Sequence, residues 1–133
     1  KEIFSTINKN YYLNVSSKDS LTTILNRGAL EHKAQELVSS KKAFDLIFID
    51  LNKFKQINDT HGHIVGDQLL ISSAKRLADL LSGNQVVTRL GGDEFTIFCC
   101  DITSDKSMLK LAENIIEAFK LPFCIENNII NFH

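Results

Sequence analysis

Charge imbalance is what this sequence most clearly lacks: 15 Lys and Arg stand against 16 Asp and Glu, a formal net charge of −1. Such a balance offers no broad field to nucleic acid or to an anionic membrane surface, so neither is an expected partner. An anionic ligand would have to be held by local groups or by metal. Cysteine is scarce and odd in number, and no C-x-x-C spacing occurs; Cys99 and Cys100 adjoin inside an apolar strand pattern and Cys124 stands apart. This argues against a disulfide framework or a thiolate zinc site and for core thiols in a reducing compartment. No apolar run nears the ~18 residues that a membrane span needs. The opening KEIFSTINKN has neither the apolar core nor the small-residue cleavage site of a secretory leader. A cytoplasmic chain, or the cytoplasmic part of a larger membrane-anchored one, is the expectation. Internal repeats and low-complexity tracts are absent too.

What is present suits one domain: 133 residues, of which 44% are hydrophobic, enough to bury a core. Residues 1–18 are polar with scattered Ile3, Phe4, Ile7, Tyr11 and Tyr12, and read as a connector, for which a helix is one option, leading in from an upstream segment. From residue 19 to 133 the pattern is that of a folded domain. Asp19 or Ser20 can N-cap a first helix whose face is marked by Leu30, Ala34, Leu37 and Val38. The run 44-FDLIFID-50 reads as a central strand covered on both faces. After a polar stretch with Gly62 and Gly66, the spacing of Leu70, Ala74, Leu77 and Leu81 predicts an amphipathic helix ended by a left-handed cap at Gly83-Asn84. Val86–Leu90 and Phe95–Cys100 read as strands flanking a Gly-Gly turn. Met108, Ala112, Ile115 and Phe119 mark a further helix, stopped by Pro122, and short strand-like segments surround Asn127-Asn128. The order implies a mixed α/β fold of the α+β kind, a sheet with helices packed on it.

The chemistry-bearing residues fall at strand ends. Asp50 closes one strand; Asp93 and Glu94 lie at the tip or shoulder of the expected hairpin. Two carboxylates ~4 Å apart repel by roughly 4 kcal/mol at an effective dielectric near 20, so such a cluster stays ionised mainly around a cation. Oxygen-only ligands favour a hard ion, Mg²⁺ over zinc. Gly91 and Gly92 would permit positive φ and let a bulky anion approach the backbone. On their own Gly91, Gly92, Asp93 and Glu94 fit equally a tight hairpin with solvated acids. Behind Asp50 lie Lys53 and Lys55, suited to phosphate oxygens, and then Asn58 and Asp67. An amide and a carboxylate together can read the Watson–Crick edge of guanine, the carboxylate accepting from N1–H and N2–H. Individually each of these also serves as a turn, cap or surface residue, as do His61 and His63.

Together these residues carry a resemblance. DSLTTILNR (19–27), IFIDLNKFKQINDTHGHIVGDQLL (47–70) and RLGGDEF (89–95) follow one another with the spacing of the GGDEF domain family, the diguanylate cyclases of bacterial cyclic-di-GMP signalling. The resemblance implies a palm-like sheet, mostly antiparallel, as in nucleotidyl cyclases and polymerases. It implies that Asp50, the Leu51 carbonyl, Asp93 and Glu94 hold Mg²⁺ or Mn²⁺, with Glu94 also deprotonating a 3′-hydroxyl. Asn58 and Asp67 would recognise guanine with His63 close by, and Lys55 would stabilise developing phosphate charge. The backbone at Lys53, Phe54, Gly91 and Gly92 would run along the phosphates of GTP. Turnover would need a homodimer, and a sensory domain would precede this one.

Four departures stand out. Asn52 replaces a family Asp, and Thr23 replaces a family Gly, the latter read as a packing variation. The window 82-SGNQ-85 has neither residue of the Arg-x-x-Asp that binds product in many members. The family also continues with a V-S-I-G-like strand and a helix whose Lys and Arg grip the terminal phosphate. Neither follows Ile130–His133, so the expectation is a domain lacking its C-terminal part, and with it a weakly active or inactive chain.

Overall fold

A computed structural model describes residues 17–100 and 105–132, so the expected connector lies outside the described residues except for its last two. Its elements run β1 (Leu25–Asn26), α1 (Arg27–Ser39), β2 (Phe44–Asp50), α2 (Phe54–His61), α3 (His63–Asp79), β3 (Gln85–Gly91), β4 (Glu94–Cys100), α4 (Asp105–Phe119), β5 (Phe123–Ile125) and β6 (Asn128–Ile130). The main sheet has the order β1-β3-β4-β2, and β5-β6 form a separate hairpin. Strand β4 pairs antiparallel with both neighbours, and only the short β1 runs parallel, to β3. The order of elements implied a sheet with helices packed on it, and the resemblance implied its mostly antiparallel pairing; both are observed.

Alternation along the strands sorts side chains onto two faces. Val87, Phe95, Ile97 and Cys99 join a cluster with Leu69, Ala74 and Leu77 of α3 and with Leu111 and Ile115 of α4. On the opposite face Phe98 meets Leu30 and Leu37 of α1. It also stacks on Phe44 with ring centroids 4.9 Å apart. Leu69, Leu77, Phe95 and Ile97 are fully enclosed, and burial of each such side chain contributes about 1.5–3 kcal/mol. Arg76 of α3 ties the far end together. Its guanidinium donates to the carbonyls of Ala118, Leu121 and Pro122 at 3.0, 2.8 and 3.1 Å and lies 3.6 Å from the centroid of the Phe123 ring.

Several expectations need correction. Strand β2 lies at the edge of the described sheet, and Phe48 is 68% exposed, so the strand is not covered on both faces. An unbroken apolar run cannot by itself distinguish an edge from a centre. Asp19 does not cap α1; Asn26 does, its side chain accepting the Ala29 N–H at 3.0 Å. Val38 is exposed, and Ala29 takes its place on the packed face. The helix marked by Leu70 begins earlier, at His63, and ends at Asp79 with Leu80 as its cap. Gly83, at φ 59°, belongs instead to the turn into β3. The polar stretch before α3 is itself helical, because Phe54 and Ile57 give α2 an apolar face for the core. Thr23 has φ 64°, so its departure from glycine concerns backbone conformation and not packing. Of the cysteines, all free, Cys99 is buried but Cys124 is exposed.

Candidate nucleotide and metal site

The antiparallel register β2–β4 runs without a break from Phe44↔Cys100 to Asp50↔Glu94, which sets these two acids opposite each other at the same end of the sheet. Strand β3 ends at Gly91 and β4 begins at Glu94, leaving Gly92 and Asp93 as the turn. Gly91 has φ 146° and Gly92 φ 51°; a Cβ on either would meet nothing within 4 Å, so conformation and not crowding calls for glycine there. The Leu51 N–H donates to the Asp93 carbonyl at 3.2 Å, tying the end of β2 to the turn. Burial pushes the Asp93 carboxyl above its ordinary value; the Asp50 charge, a side-chain hydrogen bond with Asp50, and the Glu94 charge push the same way, against its own backbone N–H. The acids at the strand ends therefore do meet and repel, the condition under which a cation is attracted. Among the described residues no three His, Cys, Asp or Glu side chains are gathered closely enough to cage a metal by themselves. The side chains that could hold an ion here are the Asp50 and Asp93 pair, with Glu94 opposite Asp50 in the register.

Directly behind Asp50 the chain enters α2 through Lys53, which has φ 63° and gives no side-chain cap. The first backbone donor to bond back is Ile57, to the Lys53 carbonyl at 3.0 Å. The N–H groups of Phe54, Lys55 and Gln56 therefore precede the intrahelical ladder and present the positive end of the helix dipole, the usual cradle for phosphate. Phe54 is buried and anchors the helix, while Lys53 and Lys55 are exposed. Lys55 makes no ion pair with the three acids among the described residues. Asn58 of α2 rests against Gly66 of α3: a Cβ there would overlap its Oδ1 and lie 2.9 Å from its Cγ. Asp67 follows Gly66 and His63 opens α3, both exposed, so Asn58, His63 and Asp67 share the α2–α3 junction.

Residues 16–133 match the family described as "Diguanylate cyclase, GGDEF domain". The chain belongs to the GGDEF domain family. Over 118 residues this GGDEF domain is 36% identical to Diguanylate cyclase DgcN of Escherichia coli (strain K12), an alignment covering 86% of the chain and 29% of that protein. Over 110 residues it is 34% identical to Cyclic di-GMP phosphodiesterase PdeB of Shewanella oneidensis, covering 83% of the chain and 13% of that protein. The chain thus spans less than a third of either curated relative. The solved GGDEF domain of TpbB (YfiN) from Pseudomonas aeruginosa matches with a TM-score of 0.78 at 32% identity, covering 86% of this chain and 69% of that one. The α+β sheet is accordingly the nucleotidyl-cyclase-like palm.

Sequence reasoning missed one residue of this GGDEF turn. Arg89 donates from Nε and Nη2 to the Gly92 carbonyl at 3.0 and 2.9 Å, and from Nη1 to both Asp19 carboxylate oxygens at 3.1 Å. Burial raises the Asp19 pKa, but bonds from Thr22 and Arg89 outweigh it and leave the carboxyl below its ordinary value. Arg89 adjoins the quoted signature, yet nothing local signals a partner 70 positions away.

Proposed function

We propose that this domain binds GTP with a divalent ion and, as one half of a homodimer, condenses two GTP molecules into cyclic-di-GMP with release of pyrophosphate. The observation that carries the reading is the meeting of Asp50 with Asp93 at the end of β2, the strand that leads into α2, whose first-turn N–H groups precede its hydrogen-bond ladder.

In this reading the first-turn amides of α2 and the Lys53 and Lys55 ammoniums hold the triphosphate. Asp67 accepts from N1–H and N2–H of guanine, and Asn58 contacts the remaining polar edge. Glu94, exposed at the start of β4, takes the proton from the 3′-hydroxyl. That oxygen forms a bond to the α-phosphorus of the partner's GTP as the α–β phosphoanhydride breaks. Mg²⁺ or Mn²⁺ on Asp50, Asp93 and the Leu51 carbonyl would neutralise phosphate charge and acidify the hydroxyl. Gly91 and Gly92 leave the backbone bare where the α-phosphate passes. One active unit needs two domains, because each supplies a single nucleotide site.

The test is incubation of the chain, and of a dimer-competent longer form, with GTP and Mg²⁺. Pyrophosphate release with cyclic-di-GMP as product is expected. If GTP and Mg²⁺ together leave the melting temperature unchanged, the reading fails. A second reading, a GTP-binding module that regulates a neighbouring phosphodiesterase, is favoured by the likeness to PdeB. It predicts binding without pyrophosphate release.

A further inference from the structure

Arg89 takes no part in the chemistry above, yet it joins segments far apart in sequence. Both bonds from its Nε and Nη2 converge on one oxygen, the Gly92 carbonyl, at 3.0 and 2.9 Å. That oxygen belongs to the peptide joining Gly92 to Asp93, so holding it fixes the plane from which the Asp93 side chain departs. The restraint has a purpose, because glycine at φ 51° in Gly92 has no side chain of its own to hold the turn. The other arm of Arg89 reaches Asp19, in an ion pair whose side chains are only 14% and 16% exposed.

Asp19 is itself held firmly. Its carboxylate accepts from the Thr22 N–H and hydroxyl at 2.8 and 2.7 Å. Backbone bonds from Asp19 N–H to the Ile24 carbonyl, from Thr23 N–H to the Asp19 carbonyl, and from Asn26 N–H to the Ser17 carbonyl fold residues 17–26 into one compact loop. The end of that loop, β1, then pairs with Thr88 and Arg89 of β3. Backbone and side chain thus both connect the segment ahead of α1 to the strand that carries the acidic turn.

We propose that Arg89 and Asp19 are positioning residues that set the Gly92–Asp93 peptide, so that the loop 17–26 controls divalent-ion affinity at the acidic pair. The inference rests on the metal-dependent reading above. Displacing the loop releases the Arg89 fork, lets the turn peptide rotate and weakens the hold of Asp93 on the ion.

The experiment uses the whole chain and three variants, Asp19→Asn, Arg89→Lys and Arg89→Gln. Two readouts are taken: Mg²⁺ titration followed by thermal shift, and amide hydrogen exchange of the peptide spanning residues 88–95. The Mg²⁺ concentration for half-maximal shift should rise about tenfold in Asp19→Asn and Arg89→Gln, the usual effect of losing an outer support of a metal ligand. Exchange at the turn should accelerate while the interior of β4 stays protected. Arg89→Lys, which keeps the charge but cannot serve Asp19 and Gly92 together, should fall between. Unaltered ion affinity and turn exchange in a variant that merely melts lower would overturn the proposal. Should the parent chain show no Mg²⁺ response, the functional reading fails; turn exchange then still decides whether the clamp sets the peptide, acceleration supporting it and no change refuting it.

Discussion

Replacing Gly66 by Ala should separate folding from ligand recognition at a single atom. Gly66 lies inside α3, where Ala is favoured over Gly by about 1 kcal/mol. The three nearest neighbours of an added Cβ all belong to Asn58, which it would meet within 2.9 Å at Cγ and overlap at Oδ1. The obstacle is the far end of a short side chain, so the amide swings aside at little expense to the fold. Its Oδ1, buried without a partner in the parent, regains water as it leaves. We therefore expect a melting temperature raised by about 2–5 °C. Recognition moves the other way: losing the Asn58 hydrogen bond to guanine removes about 1 kcal/mol, a Kd for GTP weakened roughly fivefold. Calorimetric scanning and GTP titration in Mg²⁺ read the two effects, and Asn58→Ala should weaken binding no further in the Gly66→Ala background. Parental affinity in Gly66→Ala would remove Asn58 from the guanine site. A melting temperature lowered by several degrees would show that the displaced amide mattered to packing.

Asp93→Asn should stabilise the metal-free chain while abolishing its Mg²⁺ response. The folded carboxyl sits above 3.8, so its contribution is full below that value and is lost as pH rises through the folded pKa; a melting curve that falls with pH as much in the variant as in the parent would count against this. Arg76→Met should lose about 3 kcal/mol in urea unfolding, having given up three carbonyl partners and the Phe123 ring. A loss under ~1 kcal/mol would mean the clamp is ornamental. Thr23→Gly should raise stability by about 0.5–1 kcal/mol, since the β-branched residue sits at φ 64° and is exposed; a loss in denaturant midpoint would refute it. Cyclic-di-GMP should not bind near Ser82 and Gln85, because no Arg or Asp stands there and the Gln85 side chain already accepts the Ser82 N–H at 3.0 Å. Micromolar binding in calorimetry without GTP or metal would contradict that.

The acidic turn, both of its strands, α4 and the closing hairpin were legible because local pattern decides them: a Gly-Gly turn between apolar runs, an apolar face at helical spacing, a proline stop. The sheet position of β2 was not, since coverage of Phe48 depends on what packs over it and not on its neighbours in sequence. Helix α2 hid for the opposite reason, its apolar face being only Phe54 and Ile57 in a polar stretch. Asn58 and Asp67 were picked out by chemical type, but the seat of Asn58 against Gly66 emerges only once α2 folds onto α3. Asp19 was mistaken for a cap because it is shared between Thr22 in its own turn and Arg89, whose position 70 residues on no local pattern signals.

The unbroken β2–β4 register makes strand length a ruler. Seven consecutive pairs run from Phe44 to Asp50, and the last of them delivers the acid beside Glu94. Removing any one residue between them would shift Asp50 back by about 3.3 Å and turn its side chain to the other face of the sheet. Evolution and engineering can therefore exchange the letters of this strand freely, hydrophobe for hydrophobe, but cannot shorten or lengthen it without uncoupling the acid from the turn it serves.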